Sequence, residues 1–164
     1  MKTLLLIRHA KSSWKDSSIE DFDRPLNERG KSDAPVMAHR MLDKDVPIDI
    51  FISSPAKRAK KTAEIFAKEY KTKKDDIVFK SELYGAGEFA FYDVISKIDD
   101  KFQHAAIFSH NPGLTDFANQ LTEVRTDNIP TCGIFAIKAD CKNWADFRTA
   151  KKECLFFDFP KSGA

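Results

Sequence analysis

The sequence predicts an α/β protein, a three-layer sandwich in which a mostly parallel central sheet is covered by helices on both faces. Two observations support this prediction. Short, continuous apolar runs alternate along the chain with longer segments whose apolar residues recur every three or four positions. Continuous apolar runs are typical of parallel strands buried on both faces, and the longer spacing is typical of helices with one buried face. Their alternation indicates a layered α/β sheet.

The elements follow one another in a regular order. Five apolar runs predict strands at residues 3–8 (TLLLIR), 48–54 (IDIFISS), 104–110 (HAAIFSH), 132–139 (CGIFAIKA) and 153–159 (ECLFFDF). Four apolar stripes predict helices, with their first apolar residues at Ala34, Ala59, Phe91 and Leu114. The last two strands are candidates for antiparallel pairing at the sheet edge. No repeat or low-complexity linker divides the chain, so residues 1–164 are predicted to form one domain.

Composition restricts the class of protein. Of the 164 residues, 42% are hydrophobic and 32% charged, and the net charge of +2 is too small to indicate a nucleic-acid partner. The first apolar run is interrupted at Arg8, so it is too short for a signal peptide or a membrane span. Three cysteines, an odd number, favour reduced thiols over a disulfide framework. We therefore expect a cytoplasmic protein, and a monomer because no heptad pattern is present.

The candidate catalytic and binding residues lie at the ends of the strands. The first strand ends in Arg8 and His9, the second in the sequence SSP at residues 53–55, and the third in Ser109 and His110. Ligands of open α/β sheets bind beyond the carboxyl ends of the parallel strands. We therefore expect these strand ends to meet at one edge of the sheet.

Two of these strands are predicted to lead directly into helices. Ser54 is a candidate N-cap with Pro55 at the first helical position, and Asn111 with Pro112 repeats the pattern. Helix N-termini attract anions, and Arg58 lies one turn inside the first of these helices. The strand ends add Arg8, His9 and His110 and no carboxylate. This set predicts a site for a phosphoryl group, whose oxygens arginine binds in a bidentate manner.

Three segments resemble the motifs of a known family. The stretch LLLIRHAKSSW is similar to the Arg-His-Gly signature of the histidine phosphatase superfamily (phosphoglycerate mutase-like), with Ala10 where many members have glycine. SSPAKRAKKTA resembles its second arginine motif, SHNPGL its second histidine motif, and RPLNERGKSDA the segment after the first loop of short members. The short chain and the form RHAKS resemble the SixA-type branch of phosphohistidine phosphatases.

The resemblance implies roles for individual residues. His9 becomes the nucleophile that carries the phosphoryl group, while Arg8, Arg58 and a protonated His110 hold it. Ser12 and the backbone N–H of Asn111 are further candidates for phosphate contact. Glu82 is the first candidate for the general acid and Glu88 the second, although a phosphohistidine substrate can react without one because imidazole is a good leaving group. No metal or other cofactor is required.

Several functions stay open at this point. The favoured one is a SixA-type phosphatase whose substrate is a phosphohistidine protein, and the alternatives are a small phosphorylated metabolite as substrate or a non-catalytic phosphate-binding module. The chain is short for a phosphoglycerate mutase, and no cysteine lies six positions before an arginine as in cysteine-dependent phosphatases. The loop at residues 12–24, including the acids of its DFD sequence, is predicted to form part of the site's rim.

Overall fold

The computed structural model describes residues 1–162, in which one mixed sheet forms the centre of the molecule. Its strands are β1 (Lys2–Arg8), β2 (Ile50–Ser53), β3 (Val78–Phe79), β4 (His104–Ser109), β5 (Ile134–Ala139) and β6 (Lys152–Asp158). Their order across the sheet is β3-β2-β4-β1-β5-β6. The first four are mutually parallel, whereas β5 runs antiparallel to β1 and β6 to β5. The predicted fold class and the antiparallel edge are confirmed.

Helices cover both faces of this sheet. They are α1 (Glu28–Asp43), α2 (Lys57–Glu69), α3 (Glu88–Ser96) and α4 (Gly113–Leu121). Because strand side chains alternate between faces, Leu5 of β1 packs in one core cluster with Ala34 and Phe66, while Leu6 packs in the other with Phe91. Among residues 1–162, no helix combines the length and the apolar character needed to cross a bilayer.

The register of β1 and β4 positions the site. Arg8 pairs with Ser109, and the N–H of His9 donates to the carbonyl of Ser109 at 3.2 Å. The two histidines therefore leave neighbouring strands side by side. Ser54 extends β2 on the other side of β4, since its N–H donates to the carbonyl of Phe108 at 3.0 Å.

Both predicted helix starts were wrong by one or two residues. Ser54 still belongs to the β-ladder, so α2 begins at Lys57 and the hydroxyl of Ser54 accepts the N–H of Ala56 at 3.2 Å. Helix α4 begins at Gly113, after Pro112. Asn111 nevertheless caps this helix from one position further back, because its side-chain oxygen accepts the N–H of Thr115 at 3.1 Å.

Candidate active site

His9 lies at the carboxyl end of the parallel strands, in the centre of the site. Its Nδ1 is 2.7 Å from the carbonyl oxygen of Ala10, which can only accept a hydrogen bond. In a neutral ring the proton is therefore on Nδ1, and Nε2 carries the lone pair. The N–H of Ala10 in turn donates to the hydroxyl of Thr62 at 2.9 Å, and that hydroxyl donates to the carbonyl of Arg58 at 2.8 Å. Thr62 thus ties the turn after β1 to α2.

His110 faces His9 across the site. The ring centroids are 5.1 Å apart and the ring planes are tilted by 49°. Nε2 of His110 forms a hydrogen bond of 2.8 Å with the hydroxyl of the fully buried Ser54, whereas its Nδ1 is buried with no partner among residues 1–162. Tyr84 packs edge-on against the His110 ring at 5.4 Å and encloses it from the side.

Arg58 reaches from the first turn of α2 to His9. Its Nε is 3.4 Å from Nε2 of His9, and the residue is only 5% exposed. The outer edge of the guanidinium is held by Asp21, which accepts from Nη1 at its backbone oxygen (2.6 Å) and from Nη2 at its carboxylate (3.0 Å). The same carboxylate accepts the hydroxyl of Tyr84 at 2.6 Å and forms an ion pair of 3.1 Å with Arg24.

Arg8 is the second arginine of the site, beside Arg58. Its Nη1 donates to the carbonyl of Ile129 at 2.9 Å, and the amide of Asn111 donates to the same oxygen at 3.0 Å. Nε of Arg8 is buried without a partner in the described part of the chain. A buried, unused N–H donor beside two imidazoles is suited to an anionic oxygen.

Burial and positive charge keep both histidines neutral. Burial, with the charges of His110, Arg58 and Arg8, lowers the pKa of His9 to about 3, against the opposing effect of its bond to Ala10. Burial, followed by the charge of Arg58, lowers the pKa of His110 to about 4. The pKa of Asp21 is held well below its usual range by the hydroxyl of Tyr84 and by Arg58, so this residue is a carboxylate throughout the neutral range.

The structure therefore brings together the four residues predicted for the centre of the site, which are Arg8, His9, Arg58 and His110. The side chains of the other candidate residues form polar contacts elsewhere or, among the residues that the structure describes, none. The hydroxyl of Ser12 accepts from Arg24 at 2.6 Å. The side chain of Asn111 is directed to α4 and to Ile129. Glu82 lies exposed in the turn Ser81–Leu83, and Glu88 is the first residue of α3. Neither glutamate forms a side-chain hydrogen bond or ion pair within residues 1–162. Their proposed role as acid stays a prediction.

Sequence reasoning missed several residues of the site. Asp21 belongs to the predicted rim loop, but its role as the partner of Arg58 was not foreseen, and the strand ends alone indicated a site without a carboxylate. Tyr84 and Thr62 were not singled out at all. The signal for Thr62 was available, because a polar residue within the apolar stripe of α2 is expected to satisfy a specific hydrogen bond.

The chain is similar to several known proteins. The model of the histidine phosphatase superfamily (branch 1) matches residues 4–83, a range that includes Arg8, His9 and Arg58. An uncharacterized protein of Mycobacterium tuberculosis is 26% identical over 166 residues, which cover 94% of this chain and 100% of that protein. An uncharacterized chloroplast protein of Arabidopsis thaliana is 39% identical over 61 residues, but the match spans only 37% of this chain and 28% of that protein.

The fold has counterparts among solved structures. The proposed phosphohistidine phosphatase SixA of Agrobacterium tumefaciens superposes with a TM-score of 0.81 at 24% sequence identity. The alignment covers 97% of this chain and 98% of that one. At this identity the likeness shows a shared fold, including the order of its layers.

Proposed function

We propose that the chain, whose residues 4–83 match the model of the histidine phosphatase superfamily, is a phosphatase that hydrolyses protein phosphohistidine through a covalent intermediate on His9. One observation carries the proposal: Nε2 of His9 accepts a hydrogen bond from Nε of Arg58 at 3.4 Å, and the His9 ring faces His110 across the site. The bond from Nδ1 to the carbonyl of Ala10 places the proton of the neutral ring on Nδ1 and leaves the lone pair on Nε2. A neutral nucleophile beside fixed cations is what an in-line attack on a phosphoryl dianion requires.

The first step transfers the phosphoryl group to the enzyme. The lone pair of His9 Nε2 forms the new N–P bond while the bond from phosphorus to the imidazole of the substrate breaks, and this imidazole takes up a proton from solvent water. In the second step water forms the new O–P bond as the N–P bond breaks, which releases phosphate and restores His9. Two displacements with a good leaving group in each replace one difficult hydrolysis.

The surrounding donors stabilise the charge that spreads over the phosphoryl oxygens. Arg8 offers the unused Nε, Arg58 its Nε, and His110 its ring. His110 is neutral near pH 7 in the free protein because its pKa is lowered to about 4. The protonated His110 expected from the sequence therefore depends on the phosphoryl dianion, whose charge raises the pKa of that ring. Losing one such donor is expected to cost about a hundred- to a thousandfold in rate.

A phosphohistidine substrate suits the rest of the site. Within residues 1–162, the one carboxylate held in the site by other side chains is that of Asp21, which binds Arg58, Arg24 and Tyr84 and stays ionised, so it is not available as a proton donor. An alkoxide leaving group needs strong proton donation, whereas imidazole does not. Likeness to the fold of a proposed phosphohistidine phosphatase supports the same substrate class. If a phosphomonoester is hydrolysed as well, Glu82 is the proposed acid.

Chemical trapping tests the proposal. The protein is incubated with radiolabelled phosphoramidate and quenched in base, and the label is examined for acid lability. We expect base-stable, acid-labile phosphate on the wild type and on His39→Ala, a surface control whose histidine pairs with Glu69, the last residue of α2. We expect no label on His9→Ala. Label that persists in His9→Ala would refute the nucleophile, and a wild type that neither labels nor turns over would be a binding module.

Substrate class is tested with the same preparations. We expect kcat/KM for a phosphohistidine peptide to exceed that for β-glycerophosphate, an alkyl phosphomonoester, by at least about tenfold, because an alkoxide departs poorly without a proton donor whereas imidazole does not need one. The opposite ranking would assign the protein to small phosphomonoesters.

A further inference from the structure

We propose that a basic groove beside the active site binds an acidic segment of the phosphorylated partner protein. The groove has a volume of about 680 Å³ and lies between the residues around Phe22 to Leu26 and the first two turns of α2. The inference rests on the proposed function, because it names the partner surface that would accompany the phosphohistidine.

Positive charge dominates the groove. Five of its lining residues are lysines and two are acids. Lys57, Lys60 and Lys61 are exposed and form no ion pair with any residue from 1 to 162. The remaining two lysines, Lys31 and Lys74, are paired with glutamates at 3.6 Å. Three lysines without a counterion on one wall form a surface complementary to carboxylates.

The first turn of α2 contradicts ordinary helix preferences. It holds basic residues and no acid, although the positive end of the helix dipole favours acids there. Arg58 explains one of these cations, because it belongs to the active site. Lys57 and Lys60 form no ion pair among the described residues, although Nζ of Lys60 lies 5.6 Å from the centre of the Phe79 ring. A local conflict of this kind is typical of a binding surface.

Apolar residues line the groove beside the lysines. They are Phe22, Pro25, Leu26 and Pro55. A lining that is both apolar and cationic fits a peptide that carries both carboxylates and aliphatic side chains better than it fits a small, fully hydrated anion.

The groove adjoins the phosphoryl site directly. Lys57 precedes Arg58 in the chain, and Phe22 follows Asp21, the residue that holds Arg58 by two hydrogen bonds. A segment lying in the groove is therefore within a few residues' length of a phosphohistidine placed on His9. Docking there would raise the affinity for the whole partner without changing the chemistry at phosphorus.

Two peptides and two triple variants test the inference. Both peptides contain phosphohistidine, one flanked by Asp and Glu and the other by Gln and Asn. Variant Lys57→Gln/Lys60→Gln/Lys61→Gln removes the groove charges. Variant Lys101→Gln/Lys142→Gln/Lys151→Gln removes the same charge from exposed positions at the opposite edge of the sheet, where β4 begins, β5 ends and β6 begins.

We expect the wild type and the control variant to favour the acidic peptide in kcat/KM by about three- to tenfold at low salt, because exposed ion pairs are individually weak and screened. The groove variant should lose this preference while hydrolysing free phosphohistidine within about twofold of the wild type. Equal rates for both peptides in the wild type, or an unchanged preference in the groove variant, would overturn the inference.

A binding measurement separates this inference from the proposed function. Fluorescence anisotropy of a labelled, unphosphorylated acidic peptide reports the groove even if no phosphohistidine is hydrolysed. Weaker binding to the groove variant than to the control variant supports the inference. Equal binding to both, lysine-dependent binding of tripolyphosphate without binding of the peptide, or self-association of the chain through these lysines would each refute it.

Discussion

Asp21 holds the guanidinium of Arg58 by two bonds, one of 2.6 Å from Nη1 to its backbone oxygen and one of 3.0 Å from Nη2 to its carboxylate. A third nitrogen of the same guanidinium, Nε, lies 3.4 Å from Nε2 of His9. A loop residue thus fixes the plane of a side chain that comes from a helix. Because the carboxylate also binds Arg24 and Tyr84, this contact connects the rim of the site to its centre.

Substitution Asp21→Ala should lower kcat by about tenfold, because Arg58 loses one fixed hydrogen bond and samples more orientations. Asp21→Asn should lie between this variant and the wild type, since its amide oxygen can still accept one N–H. The measurement is steady-state hydrolysis of free phosphohistidine. Asp23→Ala, in the same turn, serves as control and should stay near the wild-type rate. A wild-type kcat for Asp21→Ala would show that Arg58 is positioned without it.

Ser54→Ala should reduce kcat more than it reduces substrate affinity, because the hydroxyl of Ser54 holds Nε2 of His110 at 2.8 Å. We expect a loss of about tenfold, the usual consequence of one misplaced catalytic group. Ser109→Ala is the matched control. Its hydroxyl is equally buried but donates to the carbonyl of Leu83 rather than to a histidine. Equal losses in both variants would indicate a general packing effect.

Stability should decline on acidification below about pH 6.5, the ordinary pKa of histidine. The folded-state pKa values of His9 and His110 are lowered to about 3 and about 4. Between these pKa values and pH 6.5, the unfolded chain therefore binds more protons than the folded protein does. The contribution of the two histidines to the free energy of unfolding is complete above pH 6.5 and is lost as the pH falls. From pH 7 to 5.5 the two rings together should lower the free energy of unfolding by about 2 kcal/mol.

Urea unfolding at both pH values checks this expectation. The double variant His9→Asn/His110→Asn is the comparison, because the remaining histidines are common to both proteins and their contribution cancels. The variant should show a flatter dependence on pH than the wild type. Parallel curves would mean that neither ring is held neutral by the fold.

Gly30→Ala should destabilise the fold although alanine favours helices. A Cβ at this position in α1 would lie 2.1 Å from the backbone oxygen of Lys11, two residues after His9. Alanine gains about 1 kcal/mol of helix propensity, but moving backbone out of the way costs more, and we expect a net loss of at least about 2 kcal/mol.

Gly87→Ala is the control for this prediction, because nothing lies within 4 Å of its Cβ position. Its free energy of unfolding should stay within about 0.5 kcal/mol of the wild type. Thermal or urea unfolding measures both variants. A neutral Gly30→Ala would show that the turn after β1 can move away from α1 at little cost.

The amino-acid sequence by itself determined the layers and the centre of the site. Strand TLLLIR and strand HAAIFSH each have a continuous apolar middle between polar ends, which places them inside a parallel sheet, and their ends then fall at a common edge. Arg8, His9 and His110 follow from that rule, and Arg58 follows from its place one turn inside the helix predicted after the second strand; the resemblance of SSPAKRAKKTA agrees with it. The helix starts were wrong by one or two residues because a cap depends on which hydrogen bonds the backbone forms, and Ser54 remains in the β-ladder.

Only the tertiary structure decided how those residues are oriented. Asp21 lies 37 positions from Arg58, Ser54 lies 56 positions from His110, and Tyr84 lies 63 positions from Asp21. No local pattern encodes such contacts, since the path of a polar loop over a sheet edge is set by the packing of the whole chain. The neutral state of both histidines has the same origin, because burial, which only the folded molecule creates, lowers their pKa values.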